Sequence, residues 1–291
     1  MKAIIMDMDG TLLNSDNEIS DATQNKLIDL EKQGVTLILA SGRSYNRLYP
    51  YAKQLKMDQY GGYLLEVDGI AIYEMQNDTR TILKQMTFDE IHDVFARLME
   101  IECESMACFD DGMFDYFPKS IRDIKQKLRV ERNLPDSYPW TAGPWDWLAD
   151  MTKGYPKIHY IQNVEEIHGR INKIQIMQEE DKIAEIYETL KKELENKFEI
   201  FRTCPRQLEI LPLGYSKGKT LQRLMDQFGW KKDEVIAFGD GENDVSMFEV
   251  VENSFAMKNA KDFVQAKAKY TTKSNNEDGI VWGIESLERK K

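Results

Sequence analysis

Val35-Thr36-Leu37-Ile38-Leu39-Ala40 is a near-continuous apolar run set between stretches of helical spacing. A run this short is a strand, and with so little polar alternation it must be covered on both faces, as strands of a parallel sheet are. Ile4-Ile5-Met6 and Val235-Ile236-Ala237-Phe238 repeat the pattern near the two ends of the chain. Helical stretches lie beside them: Ser20 to Gln33, with Leu27 and Leu30 on one face and Gly34 as a natural stop, then Ser216 to Gly229 and Asp244 to Val251. Strand and helix in alternation specify an α/β fold with a doubly wound, mostly parallel sheet.

The alternation is interrupted. Gly62-Tyr63-Leu64-Leu65-Glu66-Val67 reads as a strand, followed by a hairpin of Ala71 to Tyr73 with Thr81 to Gln85 about the turn Gln76-Asn77-Asp78-Thr79. From Thr87 the character changes. Residues 88–101 carry Ile91, Val94, Phe95 and Leu98 at helical spacing, and an irregular aromatic region with Trp140, Trp145 and Trp147 follows. A strand from Ile171 to Met177, a charged helix from Asp181 to Asn196, and strands Phe198 to Arg202 and Gln207 to Leu211 complete this block. After Pro212-Leu213-Gly214 strand and helix alternate again. The expected organisation is a discontinuous Rossmann-like core, 1–86 and 214–291, interrupted by an inserted α+β domain at 87–213. The tail Glu288-Arg289-Lys290-Lys291 reads as disordered.

Composition narrows the function classes. The formal net charge of −11 argues against nucleic acid or an anionic membrane as a partner. No apolar run approaches the roughly 18–20 residues that span a bilayer. The N-terminal segment reads as a strand and not as a signal peptide. Cys103, Cys108 and Cys204 show no metal-ligand spacing and read as reduced thiols of a cytoplasmic protein. His92, His159 and His168 are scattered without ligand spacing.

In doubly wound sheets ligands bind beyond the carboxyl ends of the strands. The first strand runs into Asp7-Met8-Asp9-Gly10-Thr11, two carboxylates on a turn. The second runs into Ser41-Gly42-Arg43-Ser44 before a helix, where backbone N–H groups and a hydroxyl form either an anion site or an ordinary serine cap. Lys217 falls in the first turn of its helix, against the dipole, a placement that an anion in front of it would favour. The last strand ends in Gly239-Asp240-Gly241-Glu242-Asn243-Asp244, an oxygen-rich loop suited to a hard cation, Mg²⁺ better than Ca²⁺.

Taken in order, these segments resemble the motifs of the haloacid dehalogenase superfamily, in its Cof-type branch of phosphatases with a large α/β cap. Asp7 to Leu13 is similar to the first motif, Ala40 to Arg43 to the second, Ser216 to Gly218 to the third and Gly239 to Asp244 to the fourth. Phe255 to Ala260 and Asn276 to Ile280 resemble the family's closing segment. The resemblance implies a Mg²⁺-dependent phosphatase for small phosphorylated metabolites, a sugar phosphate or a flavin mononucleotide-like compound, acting through an aspartyl phosphate. It implies Asp7 as nucleophile and Asp9 as acid and then base. Asp7, the backbone carbonyl of Asp9, Asp240 and Asp244 would hold the metal. The backbone at Met8, Ser41, Gly42, Lys217 and Asn243 would hold phosphate, and the cap, 87–213, would select the substrate.

Three positions depart from the family's pattern. Ser41 stands where threonine is commoner, Asp68-Gly69 where many relatives have Asn-Gly, and Lys258 where glycine is usual. Asp68 adds a negative charge near an anion site, which would weaken the binding of an anionic substrate or select one that carries a cation. The cap tryptophans pack the cap or stack on a substrate ring. Two further functions fit the same residues: a phosphomutase, which returns the phosphoryl group to its substrate, and a ligand-binding regulator with incidental phosphatase activity.

Overall fold

The structure, a computed structural model, describes residues 1–289, so that Lys290 and Lys291 of the charged tail lie outside the described residues. Two compact units are present, Met1–Leu83 with Tyr215 onward, and Lys84–Gly214. The first unit opens with β1 (Ala3–Met6), α1 (Asp21–Lys32), β2 (Thr36–Ala40), α2 (Tyr45–Gln54), α3 (Met57–Tyr60), β3 (Gly62–Glu66), β4 (Ala71–Glu74) and β5 (Thr79–Ile82). The second contains α4 (Phe88–Ile101), β6 (Glu104–Phe109), β7 (Gly112–Tyr116), α5 (Lys119–Glu131), β8 (Lys157–Tyr160), β9 (Lys173–Met177), α6 (Glu180–Leu194), β10 (Phe198–Cys204) and β11 (Gln207–Pro212). The first unit resumes with α7 (Lys217–Phe228), β12 (Val235–Gly239), α8 (Val245–Val250), β13 (Asn253–Ala256), α9 (Asp262–Gln265), β14 (Tyr270–Thr271) and α10 (Gly279–Glu288).

The sheet of the first unit has the order β14-β13-β12-β1-β2-β3-β4-β5. Pairing is parallel from β14 to β3, and β4 and β5 form an antiparallel edge. Alternate residues enter two separate cores. Ile4, Met6, Leu37 and Leu39 pack with Leu27 and Leu30 of α1 and Ile280 and Ile284 of α10. Ala3, Ile5, Ile38 and Ala40 pack with Leu221 and Leu224 of α7 and Met247 and Phe248 of α8. Burial on both faces is the reason these strands lack polar alternation, and it makes the sheet doubly wound. Register sets Met6 beside both Leu39 and Phe238, so β1, β2 and β12 deliver their carboxyl ends to one edge.

The hairpin differs from its expected bounds. Thr79, expected in the turn, pairs with Glu74 as the first residue of β5. Asp78 takes a left-handed φ of 51° and accepts a hydrogen bond from the Tyr73 hydroxyl, which closes the turn one residue earlier.

In the second unit the sheet order is β10-β11-β9-β6-β7-β8. Helices α4 and α6 cover one face, with Val94, Phe95, Ile183 and Leu190 against Ala107, Ile174 and Ile176. Helix α5 and the aromatic segment cover the other, where Ile121 and Trp147 meet Met106, Met113 and Met177. The region expected to be irregular therefore contains β6, β7, α5 and β8. Its pattern was hidden because Glu104, Asp115 and Lys125 occupy fully buried positions. Lys125 Nζ donates to Glu104 Oε1 at 2.6 Å, and the Ala142 N–H reaches the same oxygen at 2.8 Å.

Trp147 is buried beneath the Arg206 guanidinium, and Trp140 stacks near Phe117 and under Arg129. Trp145 is 74% exposed. No helix among the described residues is long and apolar enough to cross a membrane.

Candidate active site

Beyond Met6 the chain continues the sheet for one more residue, the Asp7 N–H donating to Phe238 O at 3.1 Å, and then turns. The Leu13 N–H donates to Met8 O at 2.9 Å and the Leu12 N–H to Asp7 O at 3.2 Å. Gly10 sits in this turn at φ 80°, and a Cβ there would run into the Asp240 carboxylate. A glycine is needed for both the left-handed backbone and the close approach. Thr11 Oγ1 donates to Asp240 Oδ1 at 2.8 Å, and Asn259 Nδ2 holds Gly10 O at 2.8 Å.

Lys217 is the first residue of α7, whose N-cap Ser216 accepts from the Lys219 N–H at 3.2 Å. Its side chain is fully buried. The Nζ lies 2.6 Å from Asp7 Oδ1, 2.7 Å from Asp244 Oδ1 and 3.9 Å from Asp68 Oδ1. Burial alone would lower the pKa of this lysine, but the charges of Asp244, Asp7 and Asp68 overcome it and hold the ammonium form well above its ordinary range. Burial pushes the Asp7 carboxyl well up; Lys217 opposes that, and Asp244, Asp240 and Asp9 add to it. Burial, with Asp244 next, pushes Asp240 up to about 7.

Asp7, Asp240 and Asp244 each offer a carboxylate oxygen, all within 4.8 Å of one another. The donors are hard oxygens, and the crowded negative charge that raises Asp7 and Asp240 is what a divalent cation relieves. These residues fit Mg²⁺. The Asp244 carboxylate is already engaged, Oδ1 by Lys217 and Oδ2 by the N–H groups of Asp240 and Gly241 at 3.0 and 2.9 Å. The Asp9 carboxylate stands outside this cluster, gripped by Arg43.

Ser41 is buried at the end of β2, its N–H donating to Leu65 O and its Oγ accepting from the Arg43 N–H at 3.2 Å. Neither serine of this loop caps α2 through its side chain. The Ser44 hydroxyl donates to Asn46 Oδ1, and the Tyr45 N–H is taken by Glu66 Oε2 at 2.9 Å. Gly42 lies beside Ser41 and is half-buried. Asn243 extends from the loop after β12 and donates its Nδ2 to Asp68 Oδ1 at 2.9 Å. Through these contacts Asp7, Asp68, Lys217, Asn243, Asp240 and Asp244 form one cluster, while Ser41 joins it through the backbone at Asp68, whose N–H donates to Ser41 O.

Arg43 and Thr11 had no assigned role in the sequence, and Asp68 was read there only as an added negative charge; the structure places all three here. The signal for Arg43 was its position next to Ser41-Gly42, in the loop after β2, the strand neighbouring the one that leads to Asp9. All three histidines lie in the second unit.

A family model for haloacid dehalogenase-like hydrolases matches residues 4–284. The 5-amino-6-(5-phospho-D-ribitylamino)uracil phosphatase YwtE of Bacillus subtilis is 28% identical over 297 residues, covering 99% of this chain and 98% of the relative. Pyridoxal phosphate phosphatase YbhA of Escherichia coli is 24% identical over 292 residues, covering 98% of each. Among solved structures, a haloacid dehalogenase-like hydrolase from Bacteroides thetaiotaomicron aligns with a TM-score of 0.72 and 27% identity, over 100% of this chain and 99% of that one.

Proposed function

This chain belongs to the haloacid dehalogenase-like hydrolases, and from that membership we propose that it is a cytoplasmic Mg²⁺-dependent phosphatase of small phosphorylated metabolites, working through a phosphoryl group carried on Asp7. The observation that carries this proposal is the buried contact of Lys217 with Asp7 and Asp244 at 2.6 and 2.7 Å, beside Asp240. A nucleophilic carboxylate and a phosphate dianion repel each other, so a site that joins them must neutralise both.

Asp7 attacks phosphorus; its oxygen–phosphorus bond forms as the ester oxygen–phosphorus bond breaks. Asp9, with one oxygen freed from the Arg43 fork to carry a proton, gives that proton to the departing ester oxygen. Asp9, now a carboxylate, takes a proton from water, whose oxygen attacks the phosphorus and releases the Asp7 carboxylate and inorganic phosphate. Lys217 supplies positive charge throughout, and the Ser41 hydroxyl, the Asn243 amide and the backbone at Met8 and Gly42 hold phosphate oxygens. Asp7, Asp240 and the Asp9 backbone carbonyl would hold Mg²⁺, with Asp244, both of whose oxygens are engaged, acting through water. Bound there, the ion supplies charge neutralisation between nucleophile and phosphate.

A sugar phosphate or a flavin mononucleotide-like compound is the proposed substrate class. Support comes from the two relatives named above, both named for small phosphorylated compounds. The test is phosphate release from a panel of such compounds, with Mg²⁺ and with EDTA, for wild type and Asp7→Asn. Metal-dependent release that the variant loses is the expected result. No release from folded, Mg²⁺-supplied wild type would overturn the proposal and favour a mutase or a binding protein.

A further inference from the structure

Between β3 and β4 the residues Val67, Asp68 and Gly69 all take positive φ, at 46°, 53° and 99°. A turn of this kind is costly for a β-branched valine, though aspartate tolerates it better, and it persists only where its surroundings hold it. Here they do. The Val67 N–H donates to Arg43 O at 3.1 Å and the Asp68 N–H to Ser41 O at 2.9 Å. Gly69 O accepts from Thr220 Oγ1 at 2.6 Å, and a Cβ on Gly69 would collide with the Ser216 carbonyl. The turn is thus stitched to the loop after β2 and to the first turn of α7.

The Asp68 side chain that results is fully buried. Its Oδ1 accepts from Asn243 Nδ2 at 2.9 Å and lies 3.9 Å from Lys217 Nζ, while Oδ2 is buried without a hydrogen-bond partner. Asp68 therefore faces two of the groups assigned above to phosphate, and as an acceptor-only carboxylate it cannot itself hold one. An orphaned carboxylate oxygen is expensive in a buried site. A neutral carboxamide would meet the same Asn243 donor with its own oxygen and carry no charge. What the aspartate adds is the negative charge.

We propose that Asp68 is an internal counter-anion, a positioning residue that shares Lys217 and Asn243 with the incoming phosphate and so keeps phosphate weakly held and quick to leave. The proposal rests on the phosphatase reaction proposed above, because it takes Lys217 and Asn243 as phosphate-holding groups. A structural role for Asp68 makes the opposite forecast, since damage to the turn weakens anion binding. The sign of the change separates the two.

The experiment titrates inorganic phosphate into full-length wild type, Asp68→Asn and Asp68→Ser in saturating MgCl₂ by calorimetry, with steady-state phosphate release in parallel. Both neutral variants should bind phosphate more tightly, by roughly a hundredfold, the order expected when a unit charge about 6 Å away is removed at an effective dielectric near 20. Product inhibition should strengthen and KM fall together, without a rise in kcat. Unchanged or weaker phosphate binding by the folded variants overturns the proposal and leaves the phosphatase assignment standing. Failure of both variants to fold assigns Asp68 to the scaffold and overturns it as well. A wild type that neither binds nor releases phosphate refutes the phosphatase assignment itself, and this inference with it.

Discussion

Arg43 grips the Asp9 carboxylate with two nitrogens, Nε donating to Oδ2 at 2.9 Å and Nη2 to Oδ1. The planar guanidinium matches both oxygens, so the pair fixes the plane of the carboxylate as well as its place. The Asp9 side chain is otherwise more than half exposed, which makes this grip the main restraint on the group proposed to move protons.

Arg43→Lys keeps a positive charge and removes the fork. Release of phosphate from alkyl phosphates should fall roughly tenfold in kcat, a part of the 10²–10⁴ that a positioned general acid contributes. p-Nitrophenyl phosphate, whose leaving group needs no proton, should lose much less. An equal loss on both substrates would place Arg43 in phosphate binding and not in the positioning of Asp9.

Lys217→Met removes the ammonium that Asp7 and Asp244 both contact. Breaking a buried ion pair on one side costs about 3–5 kcal/mol, because the remaining charges are left uncompensated. The variant should melt well below wild type in EDTA and recover part of the difference in Mg²⁺, since a cation among the same carboxylates replaces some of the lost charge. Turnover should stay lost in either condition. Thermal melts with and without Mg²⁺ check this, and an unchanged Tm in EDTA would contradict the geometry.

The core and the candidate site were legible for one physical reason: parallel strands buried on both faces are plainly apolar, and the polar residues that end them stand out. Asp7, Ser41 and Asp240 were found in that way. Arg43 was not, because its role depends on Asp9 across a neighbouring strand and no local pattern records that. Asp68 was visible only as an added charge. Its burial follows from a left-handed turn that Gly69 permits and that contacts from Ser41, Arg43 and Thr220 hold in place. In the second unit β6, β7, α5 and β8 were missed because Glu104, Asp115 and Lys125 are buried together in the core, Lys125 paired with Glu104, and break the apolar period that reveals strands and helices.

Asp240 sets a pH window for the metal-free protein. Its carboxyl is raised from 3.8 to about 7, so the folded state binds this proton more tightly than the unfolded state does. The stability it contributes is complete below pH 3.8 and is lost as pH rises through about 7. Mg²⁺ binding at the same carboxylates must displace the proton, so its stabilisation grows with pH over that window. Melting curves from pH 5 to 8 should show the Tm gained from Mg²⁺ increasing with pH. A gain that is flat or falls with pH would place the ion elsewhere.

A second titrating group lies away from the site. Glu31, on α1, is 3% exposed, and neither of its carboxylate oxygens, nor Asp58 Oδ1, has a hydrogen-bond partner. Burial first, then the charge of Asp58, raises Glu31 from 4.5 to about 8. The sign matches that of Asp240: stability is complete below pH 4.5 and is lost as pH rises through about 8. Glu31→Gln has the same shape and no proton to lose. In saturating Mg²⁺, where the metal site no longer titrates, wild type should lose stability between pH 6 and 8 and the variant should not. Above pH 8 the variant should be the more stable by at least about 1 kcal/mol, because the carboxamide has no charge to bury beside Asp58. Urea unfolding at pH 6 and pH 9 decides it, with phosphate release as a control that Glu31→Gln leaves unchanged. If wild type and variant decline in parallel, the alkaline loss belongs to another group.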